Sequence, residues 1–285
     1  SITAVGKDAL TANTTADANT AVGYEALKTN TTGTENTGLG YKALNDVTTS
    51  NYNTAVGTLS GERITTGAEN TAIGHRSLTY LTTGSNNTAV GGYALRDATT
   101  ISHGTAIGYK ALRDCTTGDY STAVGYHSQM VAATGTYNSS LGYITLEDLT
   151  TGTSNVALGA YTMMNLTTGS RNVGCGLSVM NATTTPNDNV GVGYYALNQN
   201  TTGGGNVAIG AATLSSCSTG TYNTAIGHWA GDAAQTGSNN IIIGYTADPS
   251  ANDVSNEITL GNTSITKFRI PGLNFSIKDS TATND

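Results

Sequence analysis

Glycine recurs at residues 6, 23, 40, 57, 74, 91, 108, 125, 142, 159, 176, 193, 210, 227, 244 and 261, and every step is 17 residues. No insertion or deletion interrupts these sixteen units. A disordered low-complexity chain drifts in register, whereas coils stacked on one another cannot, so the strict period points to stacked coils. It also overrides the obvious compositional reading. With 36 glycines, 37% hydrophobic and 11% charged residues in 285, the chain is glycine-rich and charge-poor beside an average of about 7% Gly and about 25% charged. Taken alone, that composition would suggest disorder. The strict repeat predicts order.

The consensus is Asn-Thr-Ala-Val-Gly-Tyr-x-Ala-Leu, three variable residues, Thr-Thr-Gly and two more, with clear copies from Asn19, Asn70, Asn87, Asn189 and Asn223. The residue before the repeat glycine is Val, Ile or Leu in fifteen of sixteen units, the exception being Cys175. Two before it stands Ala, Gly or Ser in fourteen units, with Ile242 and Thr259 as exceptions. Alternate residues of a strand face opposite ways. The aliphatic and small columns are therefore expected on opposite faces, both occluded, with a further chain approaching the small one. Four residues after the glycine Leu or Met recurs, as at Leu27, Leu44, Met163 and Leu214.

Thr-Thr-Gly punctuates the far side of each unit, and its glycine is expected at a corner of positive φ. The asparagines before the strand are placed to bond one another along the axis. Thr, Val and frequent Gly oppose helix throughout. The prediction is an all-β parallel β-solenoid of sixteen 17-residue coils over residues 1–261, roughly 75 Å long at about 4.8 Å per rung. Gly23, Gly40, Gly57, Gly74, Gly91, Gly108 and Gly125 are its structural glycines. Two aliphatic signals per turn rather than three predict a flat, two-sided roll.

One coil offers about two large aliphatics against roughly 1–2 kcal/mol of backbone entropy per ordered residue, so partner chains are expected. Three before the glycine, Thr gives way to Val156, Val173, Val190, Val207, Ile241 and Ile258 in the later units, which places the tightest grip towards the C-terminus.

The unit Asn-Thr-Ala-Val-Gly, as at Asn19–Gly23 and Asn87–Gly91, resembles the head repeats of trimeric autotransporter adhesins and the repeats of trimeric phage tail fibres. That resemblance implies a left-handed β-roll, a homotrimer of three identical chains, and a role in attachment. The expected function is the rigid shaft of a phage tail fibre in the virion, contributing to adhesion to a host glycan or protein receptor and joined to other fibre or baseplate proteins. The alternative is the head of a bacterial surface adhesin. A monomeric ice-binding solenoid ranks below both, because adjacent threonines point apart.

Residues 262–285 are read as a capping segment that shields the last coil, holding Phe268, Phe275 and three of the twelve basic residues. The segment also resembles the junction before a self-cleaving chaperone, with Asp285 as a cleaved end.

Other classes of function find little support. A net charge of −7 argues against nucleic acid. No run of 18 apolar residues suits membrane insertion, and the first residues show no leader pattern. Cys115 and Cys217 share a column six coils apart and Cys175 lies elsewhere, so no intrachain disulfide is expected and buried thiols are. His75, His103, His127 and His228 have no metal-ligand spacing. Gly191-Val-Gly193 is the repeat in its ordinary phase, with no helix to make it a dinucleotide motif. No catalytic constellation breaks the period, so neither enzyme nor cofactor is expected. The remaining leads are tyrosine columns, read either as stacked ladders or as a receptor-binding stripe. Tyr120, Tyr137, Tyr222 and Trp229 are the candidate receptor contacts.

Overall fold

The computed structural model describes residues 1–269. Sixteen strands of three residues, β1 (Thr3–Val5) to β16 (Ile258–Leu260), form one sheet in chain order. All pairings are parallel, with Thr20 of β2 (Thr20–Val22) facing Thr37 of β3 (Thr37–Leu39), one repeat on. No helix occurs among the described residues. The chain is a parallel β-solenoid with the predicted period. Of the C-terminal segment, residues 270–285, including Phe275 and Asp285, lie outside the described residues.

The return path of each coil is built of turns, and it too is laddered. Leu27 N–H donates to Ala43 O at 3.0 Å, Thr29 N–H to Asn45 O at 3.2 Å and Thr31 N–H to Thr48 O at 2.9 Å. Most of each coil's backbone is bonded to the coils on either side, which is how so glycine-rich a chain can be ordered. Asparagine completes the ladder as expected. Asn36 N–H donates to Asn19 Oδ1 at 2.9 Å, and Asn19 Nδ2 donates to Gly33 O at 2.7 Å. These amides are buried and paired.

Positive φ falls in places the sequence did not mark. In one coil Glu25, Leu27 and Glu35 have φ of 55°, 49° and 57°. A left-handed non-glycine residue costs roughly 1–2 kcal/mol. Here inter-coil hydrogen bonds on both sides and the full burial of Leu27 hold it. The Thr-Thr-Gly glycines, by contrast, do not have positive φ, which corrects the expectation. At Gly33, Gly67 and Gly84 a Cβ would strike the carbonyl oxygen of the coil above. The repeat glycines need both freedoms: Gly57 has φ 133°, and a Cβ there would come within 2.6 Å of Gly74 O.

The interior overturns the expected use of the small column. Ala21, Ala55, Ala72, Ala89 and Ala157 are buried inside their own roll, so no second chain can reach them. They are small because the opposite wall supplies leucine. A Cβ on Gly38 would meet Leu27 Cγ at 3.4 Å. Where the small column grows to Ile242, the leucine column shrinks to Gly231, whose Cβ would lie 3.0 Å from Ile242 Cδ1. Constant filled volume is what a close-packed interior demands. A third interior column, seven after the glycine, holds Val47, Ile64, Leu81, Cys115, Leu149 and Leu166, all buried. The same column takes Asn30 and Asn200, so its apolar character is diluted in the sequence.

This core is broken once. One apolar cluster runs from Leu10 to Ala132 and a second from Leu146 to Ala247. Between them Gln129 occupies the leucine column and Ser140 the alanine column, both buried. Gln129 Nε2 donates to Ser140 Oγ at 2.7 Å and to Thr122 O at 3.0 Å, and Ser140 Oγ meets Ser128 Oγ at 2.5 Å. Gln129 Oε1 has no partner among the described residues.

Candidate functional site

Burying Ala in mid-strand turns both flanking residues outward. The column before the repeat glycine therefore forms a continuous aliphatic row on the outside of the sheet. Val5, Leu39, Ile73, Ile107, Leu141, Leu158, Val192, Ile209, Ile226 and Ile243 are between 36% and 58% exposed, which is unusual for large aliphatics in a regular array. Beside them run Thr20, Thr37, Thr54 and Thr71 in the first half and Val156, Val173, Ile241 and Ile258 in the second. The row also contains Cys175, which is exposed, correcting its expected burial.

Cys115 and Cys217 are buried beneath the opposite wall, each thiol against the carbonyl of Gly118 or Gly220. Burial pushes them up to about 12 and about 11 respectively, so they remain inert thiols at neutral pH.

Most aromatic residues form ladders. His103, Tyr120 and Tyr137 stack at 4.9 and 5.2 Å with planes within 8°. Tyr109, Tyr126 and Tyr143 stack at 5.7 and 5.2 Å. Trp229 lies on His228 at 4.6 Å. Tyr120, Tyr137 and Trp229 are exposed, but each already has a ring against it. Tyr222, the fourth candidate, is 71% exposed and has no ring partner among the described residues. The structure thus scatters the four candidates over two ladders and one isolated ring.

His75 meets Tyr93 edge-on at 5.1 Å, and His127 Nδ1 lies 3.0 Å from Glu147 Oε1. Among the described residues no three His, Cys, Asp or Glu side chains come together so as to hold a metal ion. Comparison with protein-family models and with curated proteins returned no match.

Sequence reasoning missed a second feature on the same corner as Tyr222. Pro186, Asn187, Asp188, Thr202, Gly204 and Gly205 form, with that tyrosine, a shallow notch of about 290 Å³. Its signal was present: Thr-Pro-Asn-Asp and Gly-Gly-Gly depart from the repeat in two successive coils, just before the coil of Tyr222. Deviations become informative once they are aligned in space. Arg171 Nε donates to Asp188 Oδ1 at 2.6 Å and Arg171 Nη2 to Oδ2 at 2.8 Å. These bonds hold the Asp188 carboxyl below the ordinary carboxylate range.

Proposed function

We propose that this chain is the shaft of a homotrimeric, left-handed fibre of the phage tail-fibre type, serving as a rigid rod in host-surface attachment. The observation that carries the reading is the outward aliphatic row, which runs the length of the sheet and is left exposed by the described residues. Exposed apolar surface on this scale is a hallmark of association. Identical rows in register suit closed rotational symmetry. The two apolar columns of the second half make that part the stronger contact. The ladders of hydrogen bonds and rings supply stiffness, and repeated weak surface contacts on three chains would add by avidity.

The test is twofold. Light scattering should give about 87 kDa, three times the chain mass of 29.0 kDa, and a value of one chain mass would remove the trimer. Cys175 reports which face is used, because it stands in the aliphatic row while the other two thiols are buried. It should resist a maleimide in the native assembly and react once the chains are separated. Ready native labelling of Cys175 would mean that another face makes the contact.

A further inference from the structure

The notch beside Tyr222 combines three features found together nowhere else among the described residues of that corner column. The first is an uncovered ring. Elsewhere in this column His103, Tyr120 and Tyr137 cover one another, whereas the coil before Tyr222 carries Gly205. A Cβ at Gly205 would come within 2.7 Å of the Tyr222 ring, so the ring leans over bare backbone and forms one wall of the opening.

The second feature is a lapse in a hydrogen-bond ladder. At the preceding position, each backbone N–H donates to a side-chain oxygen one coil on wherever that residue is Ser, Asn or Asp. Thr34 donates to Asn51 at 2.7 Å, Ser102 to Asp119 at 2.7 Å, Ser170 to Asn187 at 2.7 Å and Thr221 to Ser238 at 3.0 Å. Asn187 N–H faces Gly204, which has no side chain, and Gly204 N–H faces Thr221, whose hydroxyl points instead to Ser238 Oγ at 3.2 Å. Two donors therefore line the notch without a protein acceptor among the described residues.

The third is an oriented acceptor. Asp188 is fixed by its two bonds from Arg171, and each carboxylate oxygen retains a lone pair for a further donor. The side chain of Asn187 accepts from Ser170, which leaves its amide nitrogen free to donate.

A flat ring wall, a floor of glycine backbone and a rim of donors and acceptors match one chemical class. A pyranose has an apolar C–H face that packs on an aromatic ring and a rim of hydroxyls that both donate and accept. A flat aromatic ligand would satisfy the ring and leave the rim unpaired. We propose that the notch formed by Asn187, Asp188, Gly204, Gly205 and Tyr222 is a saccharide subsite, one per chain. One sugar ring stacks on Tyr222, a hydroxyl donates to Asp188, and a sugar oxygen accepts from Asn187 or Gly204 N–H. This rests on the attachment reading and names the ligand class and the place on the rod where it is met.

The experiment is saturation-transfer NMR of the full chain with methyl β-glycosides of glucose, galactose and N-acetylglucosamine, with affinity from titration. At least one of the three should bind. Tyr222→Ala should weaken it about tenfold or more, the scale of one lost ring contact. Gly204→Ser should abolish binding by another route, supplying Asn187 N–H with a hydroxyl and filling the floor, while circular dichroism and particle mass stay unchanged. Tyr137→Ala, which removes a ring that is already stacked, should leave affinity as it was. Equal binding by the Tyr222→Ala and Gly204→Ser variants, or no transfer to any of the three glycosides, overturns the subsite. Fluorescently labelled full chain applied to cells keeps the two readings apart. A Tyr222→Ala fibre that coats cells as well as the parent overturns the notch and leaves attachment standing.

Discussion

The two halves of the rod share one interior and differ on the outside. Before Gly125 the sheet shows solvent a threonine beside each aliphatic, as at Thr54 and Val56. After Gly142 it mostly shows two aliphatics, as at Val207 and Ile209 or Ile241 and Ile243. Charge follows the same division. Eight of the twelve basic residues lie at or before Arg113, and only Arg171 falls between there and Gly261. The first half uses those cations against its tyrosines and carboxylates: Arg63 lies over Tyr80 at 5.0 Å, Lys110 over Tyr109 at 5.1 Å, and Lys28 bonds Glu25 at 2.7 Å. Interior columns answer to volume and hydrogen bonding within one chain and so follow the same rules in both halves. Outward columns answer to whatever lies beyond the chain. Where they diverge, the surroundings of the two halves differ, and the second half carries the surface that most needs covering.

The largest effect should come from charging that surface. Ile209→Asp together with Ile243→Asp places carboxylates in the proposed contact, where burying an unpaired charge costs several kcal/mol. Light scattering should show the particle falling to one chain mass. The matching pair Val22→Asp and Val56→Asp in the first half should fray that end and leave three chains joined. Equal dissociation by both pairs would erase the distinction between halves.

The seam between the halves offers the next test. Converting Ser128 and Ser140 to Ala and Gln129 to Leu together should fuse the two apolar clusters. It removes an orphaned amide oxygen and its partners at once, which avoids leaving new unpaired groups. The gain should be about 1–3 kcal/mol, read as a higher melting temperature and slower amide exchange in residues 125–141. A lower melting temperature would mean that the polar group packs better than leucine can.

Asparagine to alanine should cost the same on either side of the seam, because the ladder is common to both. Asn70→Ala strips the acceptor from Asn87 N–H, bonded at 3.1 Å, and Asn172→Ala does so for Asn189 at 3.0 Å. Each should lose about 1–3 kcal/mol, the cost of one orphaned buried donor, measured by thermal or denaturant unfolding. A clear inequality would show that one half leans on other contacts.

The smallest effect concerns the exposed pair Arg171–Asp188. Its carboxyl titrates below the ordinary range because of the Arg171 bonds. Its stabilisation is therefore present above the unfolded carboxylate pKa and is lost as pH falls through the lowered folded value. Asp188→Asn should remove that acid-side dependence while shifting overall stability little, as exposed pairs do. An unchanged acid limb in the variant would show that Asp188 does not contribute to it.

Much of the fold was legible because a solenoid writes its geometry as a period. The glycine column, the asparagine ladder, the parallel register and the leucine column follow from strict spacing and side-chain chemistry. The candidate site was less so. Alternation along Thr-Ala-Val placed Ala and Val on opposite faces, but alternation has no sign. Either face could have been the interior. The third interior column was hidden because it tolerates Val, Leu, Cys, Ala and Asn alike. The notch was hidden because its parts lie 17 residues apart, each a small departure from a loose consensus.

The repeat, its register and its strand-and-turn character can be read from residue spacing alone, because a residue inserted in one coil would break the ladders that coil shares with its neighbours. Which way each strand faces depends on packing between the two walls of the coil. The leucine on the returning wall leaves room for alanine alone, so the alanine must turn inward and the valine must face the world outside.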